Sequence, residues 1–366
     1  MSSVKDIENV PNLLLQGIDT IECSYYLYPK GSRASFNYEQ IALERERMRS
    51  IKQREPSRIS IGGQDFLLYP YGNKSGFPFM MESEDAVISF GEFNNPSFFV
   101  KFKSIALWRE SAIGLHEKFM SWASTVGLAA YREESLSRVD FSFDYDLPEV
   151  DFDEGSFLSL AKKDCRYRKN GQVQTLQFGM GDVVLRVYDK VAEIREQSGK
   201  TWFYELWGAD RDVWRIEWQV RKAVLKRFSI RTFDDLVTGQ GDVLRYLATE
   251  HTTLRKPSDD TNRSRWPMHP LWMDLEREIA LLDKWGVYRS IDNKSLAEEK
   301  IARIAVSING YLKRIAAIDC VLHNKPMLSK DDALTRASEL IDRMNDTLSW
   351  QADVEKRIDQ IRAGKW

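Results

Sequence analysis

The sequence predicts an α+β protein: a duplicated antiparallel-sheet domain with helices on one face, followed by an all-α C-terminal module. Three observations carry this. Alternating or β-rich runs at 17–27, 58–68, 85–92 and 96–102 are punctuated by Gly and Pro. A second set of similar make-up follows from 137 onward, although no residue-level repeat is visible. From about Asp259 the polar stretch PSDDTNRSRWP gives way to helical spacing. The expected division is therefore 1–135 for an N-terminal α+β half, 136–258 for a second and catalytic half, and 259–366 for the helical module.

Taken in order, the first sheet region leads into 112–126, where Ile113, Leu115, Phe119 and Trp122 recur at helical spacing. The second set reads as strand 137–145, helix around 157–163, strands 174–178 and 182–189, helix 191–197, strand 213–220 and a helix from Lys222. In the C-terminal module, Ser295 with Glu298 and Ser329 with Asp332 stand at capping-box spacing. Amphipathic stripes follow them (Ile301, Ile304, Ile308, Leu312, Ile315; then Leu334, Ala337, Ile341, Met344, Leu348). Because the heptad spacing slips after Leu348, an internal core is favoured over a dimer seam.

The 366 residues are 43% hydrophobic, enough for one large core or two ordinary ones. A formal net charge of −2 gives no global attraction to a polyanion, so a nucleic-acid surface must be local. Between 155 and 232 there are 16 Lys and Arg against 9 Asp and Glu, a local excess of +7. Three widely spaced cysteines, Cys23, Cys165 and Cys320, fit reduced thiols and no thiolate metal site. Neither a targeting segment nor a membrane span is apparent, so a cytoplasmic protein is expected.

A strand sends alternate side chains to opposite faces, so three strands can be read face by face. In RVDFSFDY, Asp140, Ser142 and Asp144 oppose Val139, Phe141, Phe143 and Tyr145; in DVVLRVYDK, Arg186, Tyr188 and Lys190 oppose Val183, Leu185 and Val187. In VWRIEWQVR, Arg215, Glu217, Gln219 and Arg221 oppose Trp214, Ile216, Trp218 and Val220. Each strand has a fully apolar side, which accounts for its burial. If the three are neighbours, the other side collects carboxylates, cations and one tyrosine. Strand transfer on a phosphodiester uses those groups: carboxylate oxygens for Mg²⁺ or Mn²⁺, cations for phosphate charge, and a phenol as nucleophile. With an ordinary pKa of about 10, the phenol needs a positive neighbourhood. A strand acid is usually a solvated residue and a strand tyrosine usually packing; only the combination favours chemistry.

At these residues the chain resembles the replication initiation factor family, rolling-circle initiators of staphylococcal-type plasmids and filamentous phages, with related conjugative-element nickases. The pieces that match are RVDFSFD (138–144), LRVYDKVAE (185–193) and WRIEWQVR (214–221), within a stretch running to Phe228. The resemblance implies site-specific nicking and religation of one DNA strand through a 5′-phosphotyrosine on Tyr188. It implies a metal held by Asp140 and Glu217, with Asp144 as a third acid. Lys190 is expected to touch phosphate, and Glu193 to position its neighbours. Arg186, Arg215 and Arg221, with Lys222 and Lys226 after them, are candidates for DNA contact, among which the pattern does not choose. The implied partners are an origin with a single-stranded or cruciform region, a host helicase and polymerase, and for some members a second copy.

His116, His251, His269 and His323 offer no His-hydrophobic-His pair, so a carboxylate-held ion remains, and no GxxxxGK[ST] loop supplies an unwinding motor. Three alternatives stay open: a conjugative relaxase with the same chemistry, a metal-dependent nuclease in which water attacks, and a non-catalytic DNA-binding regulator.

Overall fold

The computed structural model describes residues 11–31, 36–169, 171–282, 293–344 and 347–362. It divides into two units, Met1–Ser290 and Ile291–Trp366.

The first half of the first unit runs β1 (Asn12–Pro29), α1 (Tyr38–Ser50), β2 (Ser57–Ile61), β3 (Gln64–Leu68), β4 (Phe79–Glu82), β5 (Ala86–Phe90), β6 (Phe98–Phe102), α2 (Ser104–Arg109) and α3 (Ala112–Thr125). The second half runs β7 (Leu128–Asp146), β8 (Phe157–Ser159), β9 (Asp164–Lys169), β10 (Gln172–Phe178), β11 (Val183–Asp189), α4 (Lys190–Glu193), α5 (Phe203–Trp207), β12 (Val213–Arg221), α6 (Lys222–Arg227), α7 (Phe233–Tyr246), β13 (Thr252–Leu254) and α8 (Pro270–Leu281).

Eleven strands form one antiparallel sheet in the order β2-β3-β4-β5-β6-β1-β7-β12-β11-β10-β9. In each half the long first strand lies at the centre and pairs with that half's last strand in the sheet, and the others follow outward in descending order. The duplication expected from composition is thus a duplication of topology, with β1 and β7 paired at the seam. β8 and β13 form a separate two-stranded sheet.

Apolar side chains of the sheet, among them Ile21, Val100, Phe141, Ile216 and Trp218, share one core with residues of α1, α3, α6, α7 and α8. The helices start where capping side chains satisfy free N–H groups. Ser111 accepts from Gly114 N at α3. Thr232 and Asp235 form a reciprocal box at α7. His269 accepts from Leu271 N at α8. Burying Trp272 and Leu275, α8 belongs to this core and to the first unit.

Two local expectations change. The run 157–163 is not a helix: a short 3-10 turn, capped by a reciprocal box of Asp153 and Ser156, hands over to β8, where Phe157 is buried opposite Leu254. The run 58–68 is a hairpin, β2 and β3, turning on Gly62 and Gly63 at positive φ.

The second unit comprises α9 (Asn293–His323), α10 (Lys330–Met344) and α11 (Thr347–Arg362). Ser329 accepts from Asp332 N at 3.1 Å, as its spacing predicts. The side chains of Ser295, Glu298, Met344 and Leu348 lie outside the described ones. Leu312 and Ala333 are buried, while Ile301, Ile304, Ile308, Leu334 and Ile341 are exposed, so the stripes do not make the internal core expected of them. Among the described residues no helix is long and apolar enough to cross a membrane.

Candidate active site

β7, β12 and β11 are adjacent, so the face-by-face reading becomes a set of rows across the sheet. Asp144, Arg215 and Tyr188 form one row; Ser142, Glu217 and Arg186 the next; Asp140, Gln219 and Val184 the third. All these polar groups therefore share the face opposite the main core.

The Tyr188 hydroxyl donates to Glu217 Oε2 at 2.9 Å. Arg186 Nη1 donates to the other oxygen, Oε1, at 3.0 Å and Nη2 reaches Gln219 Oε1 at 3.5 Å. Asp140, diagonal to Glu217, is gripped by Arg138, whose Nε and Nη2 donate to its two oxygens at 2.8 and 2.5 Å. Arg138 was not among the expected site residues. Its position two residues before Asp140, on the same side of β7, is the signal that could have found it.

The tyrosine row is buried more deeply than alternation predicts. α4 and α5 fold back over the polar face, and Val191, Ile194, Phe203, Trp207 and Val213 make a second small core there. Beneath this cover Arg215 is 0% exposed, donating from Nε and Nη2 to both oxygens of Asp144 at 2.6 and 2.8 Å. Its Nη1 donates to Asp19 at 2.8 Å, and Trp207 Nε1 completes Asp144 at 2.8 Å. Asp19 is also held by Ser104, Trp108 and Lys200. Gly17 makes room for Trp108, because a Cβ there would come within 2.8 Å of the indole. Asp19 carries no sequence signal, since it sits at an irregularity of β1 between Ile18 and Thr20 where alternation fails.

Two expected roles change accordingly. Arg215 is not open to a phosphate; its charge is spent inside the buried network. Lys190 is buried, donates to Glu193 at 2.6 Å, and lies 5.5 Å from the centre of the Tyr188 ring. Arg186 is half-buried, whereas Arg221 and Lys226 are exposed and Lys222 is half-buried.

The electrostatics follow from the burial. Although burial pulls Asp19 upward, Arg215, Lys200 and Lys190 hold it well below the ordinary carboxylate range. Burial, with repulsion from Glu217, raises Asp140 from 3.8 to about 6 against the pull of Arg138. Burial and the Glu217 charge push the Tyr188 phenol well above 10, and the cation Arg215 does not offset them. The positive neighbourhood expected for the phenol is therefore outweighed. Burial and Arg215 lower Lys190.

As holders of a divalent ion the three acids differ. Asp144 is neutralised by Arg215 and stands apart. Asp140 and Glu217 are close enough to repel each other, which a cation would relieve, and two carboxylates suit Mg²⁺ or Mn²⁺. Arg138 holds both oxygens of Asp140, and Arg186 and Tyr188 those of Glu217, so an ion would have to displace one of these partners. Among the described residues no three or more His, Cys, Asp or Glu side chains gather as a metal site. Of the histidines, expected to be structural or exposed, His116 bonds Tyr25, His251 bonds Thr252, His269 caps α8 and bonds Asp151, and His323 is exposed beside Asp319. All three cysteines are free.

No protein-family model matches the chain, and no curated protein does. A solved structure of a rolling circle replication initiator protein from Geobacillus stearothermophilus matches over 73% of this chain and 97% of that one, with 17% identity and a TM-score of 0.44. At that level neither family nor chemistry follows from the likeness.

Proposed function

We propose that the chain is a rolling-circle replication initiator that nicks and rejoins one DNA strand through Tyr188. The observation that supports this reading is the hydrogen bond from the Tyr188 hydroxyl to Glu217 Oε2, with Arg186 on the same carboxylate, on the polar face of the sheet.

A phenol whose pKa is raised stays protonated at neutral pH, so the nucleophile needs a proton acceptor at the moment of attack. Glu217 Oε2 is in place for that. As the phenol oxygen bonds to phosphorus, its proton passes to Glu217 and the bond from phosphorus to the 3′ oxygen breaks. The departing oxygen takes a proton from solvent and leaves a 3′ hydroxyl. Arg186, at the open margin, steadies the charge on the phosphate oxygens. Asp140 and Glu217 would hold a Mg²⁺ or Mn²⁺, whose contribution when bound is to polarise the scissile phosphate. A later 3′ hydroxyl reverses the step and closes the strand. The wider reading includes a bacterial cytoplasm, an origin that opens or extrudes a cruciform, and a host helicase and polymerase.

The test is incubation with Mg²⁺ or Mn²⁺ and labelled single-stranded origin DNA, then denaturation in detergent. A covalent adduct that disappears in Tyr188→Phe is expected. A second reading, a hydrolytic nuclease, is favoured by the burial of Tyr188, 8% exposed; it predicts cut DNA with a free 5′ phosphate and no adduct.

A further inference from the structure

Beyond Arg138, the long strands β1 and β7 continue past the acid and cation cluster. Their pairing breaks register between Tyr26 and Leu27, where Tyr26 faces Arg132 and Leu27 faces Ala130. Tyr131 is the extra residue at this irregularity. A bulge re-aims the side chain it carries, and Tyr131 is 55% exposed, beside Tyr28 at 44%. The rings gather: Tyr131 lies 6.1 Å from Tyr28 and 6.0 Å from Tyr26, edge-on to the latter. The Arg132 guanidinium stands 4.7 Å over the Tyr26 ring.

Cations collect at the same end. β12 finishes with Arg221 opposite Arg138, and Lys222 and Lys226 follow on α6. Lys222 is near enough to Arg132 and Lys226 that, after burial, their charges push its ammonium down. Among the described residues none of Arg132, Lys222 and Lys226 has an acidic partner within ion-pair distance. Positive charges left to repel one another beside half-open aromatic rings match a polyanion that also carries flat π surfaces. A duplex hides those surfaces, whereas an unpaired strand offers them.

We propose that Tyr28 and Tyr131, with Arg132 and the lysines of α6 beside them, form a stacking platform for unpaired bases of a single DNA strand. The choice of DNA rests on the nicking reading. Along β7, Arg132 is six residues from Arg138, but the stretch is bulged and faces only Glu22 to Tyr26 on β1, a span of about 13 Å at about 3.3 Å per residue. A strand gripped on the platform therefore has its neighbouring phosphates led toward Arg138 and Arg221, and so to Glu217 and Arg186.

The experiment measures binding alone, in the Tyr188→Phe background, by anisotropy of a fluorescein-labelled single-stranded DNA of about 20 nucleotides, longer than the about 4–16 nucleotides that one OB-type fold occupies. Replacing both Tyr28 and Tyr131 by Ala is expected to weaken binding at least about tenfold, since each stacked base contributes about 1–3 kcal/mol. Tyr28→Phe with Tyr131→Phe keeps the rings and is expected to bind within about twofold of the parent, because stacking needs no hydroxyl. Binding of the same sequence as duplex is expected to change little. Should the Ala pair melt early, Tyr131→Ser alone gives the same reading at about fivefold. Unchanged single-strand binding in the Ala variants overturns the platform, as does equal loss on duplex, no single-strand binding by the parent, or tighter binding of RNA of that sequence. Because no cutting is measured, a chain that forms no Tyr188 adduct can still pass or fail this test.

Discussion

Replacing Asp140 by Asn isolates the strain that the candidate ion site stores. Asp140 is 2% exposed and titrates at about 6 in the fold against 3.8 for an ordinary aspartate. A raised acid binds its proton more tightly folded than unfolded. Its favourable protonated contribution is thus complete below about pH 3.8 and is lost as pH climbs through about 6. Two decades of acidity at about 1.4 kcal/mol each make the ionised form cost up to about 3 kcal/mol at neutral pH. Asn is a neutral stand-in for the protonated acid. In EDTA, urea denaturation is expected to show Asp140→Asn equal to the parent near pH 4 and more stable by up to about 3 kcal/mol at pH 8, about 5 °C in melting temperature. Added Mg²⁺ or Mn²⁺ should then raise the melting temperature of the parent and not of the variant, since only the ionised pair attracts the ion. A variant less stable than the parent at pH 8, or a difference that does not move with pH, would refute the reasoning.

Glu217→Gln removes the proton acceptor while keeping a hydrogen-bond partner for Tyr188; nicking is expected to fall about 10²–10⁴-fold with single-strand DNA binding retained, measured on labelled origin DNA. Arg215→Met strands Asp144 and Asp19 without their shared cation, so a loss of about 3–5 kcal/mol in urea denaturation is expected. Trp218 and Trp272 are both fully buried and in contact, yet Trp272 Nε1 donates to Ala248 O at 2.7 Å whereas Trp218 Nε1 has no hydrogen-bond partner among the described residues. Trp272→Phe is therefore expected to cost at least about 1 kcal/mol more than Trp218→Phe.

What was legible in the sequence was whatever one buried face writes into a strand. Val139, Phe141, Ile216, Trp218, Leu185 and Val187 all enter the core, and their neighbours Asp140, Glu217, Arg186 and Tyr188 emerge together on the other face. Helix α3 was legible for the same reason. Helix α1 was not, because only Ile41 and Met48 of its thirteen residues are buried and its stripe is too thin to stand out. The cover made by Phe203 and Trp207 depends on which segment returns over the sheet, a long-range fact that alternation cannot encode. For that reason Arg215 and Lys190 read as surface cations although the fold encloses them. The Tyr188 ring is also enclosed, with Glu217 at its hydroxyl, Lys190 over its face and Arg215 opposite it on β12.

β1 and β7 pair from Asn12 opposite Asp146 to Pro29 opposite Leu128, so the join between the two halves is among the longest ladders in the sheet. A swivel at that join would tear the ladder along its length, which rules out the halves closing on a strand like jaws. Heat or denaturant should dismantle both together in one cooperative step. Any opening that admits a phosphate to Tyr188 must then come from the α4–α5 flap, which is tied down by the Trp207 bond to Asp144, the Lys200 bond to Asp19 and one small apolar cluster.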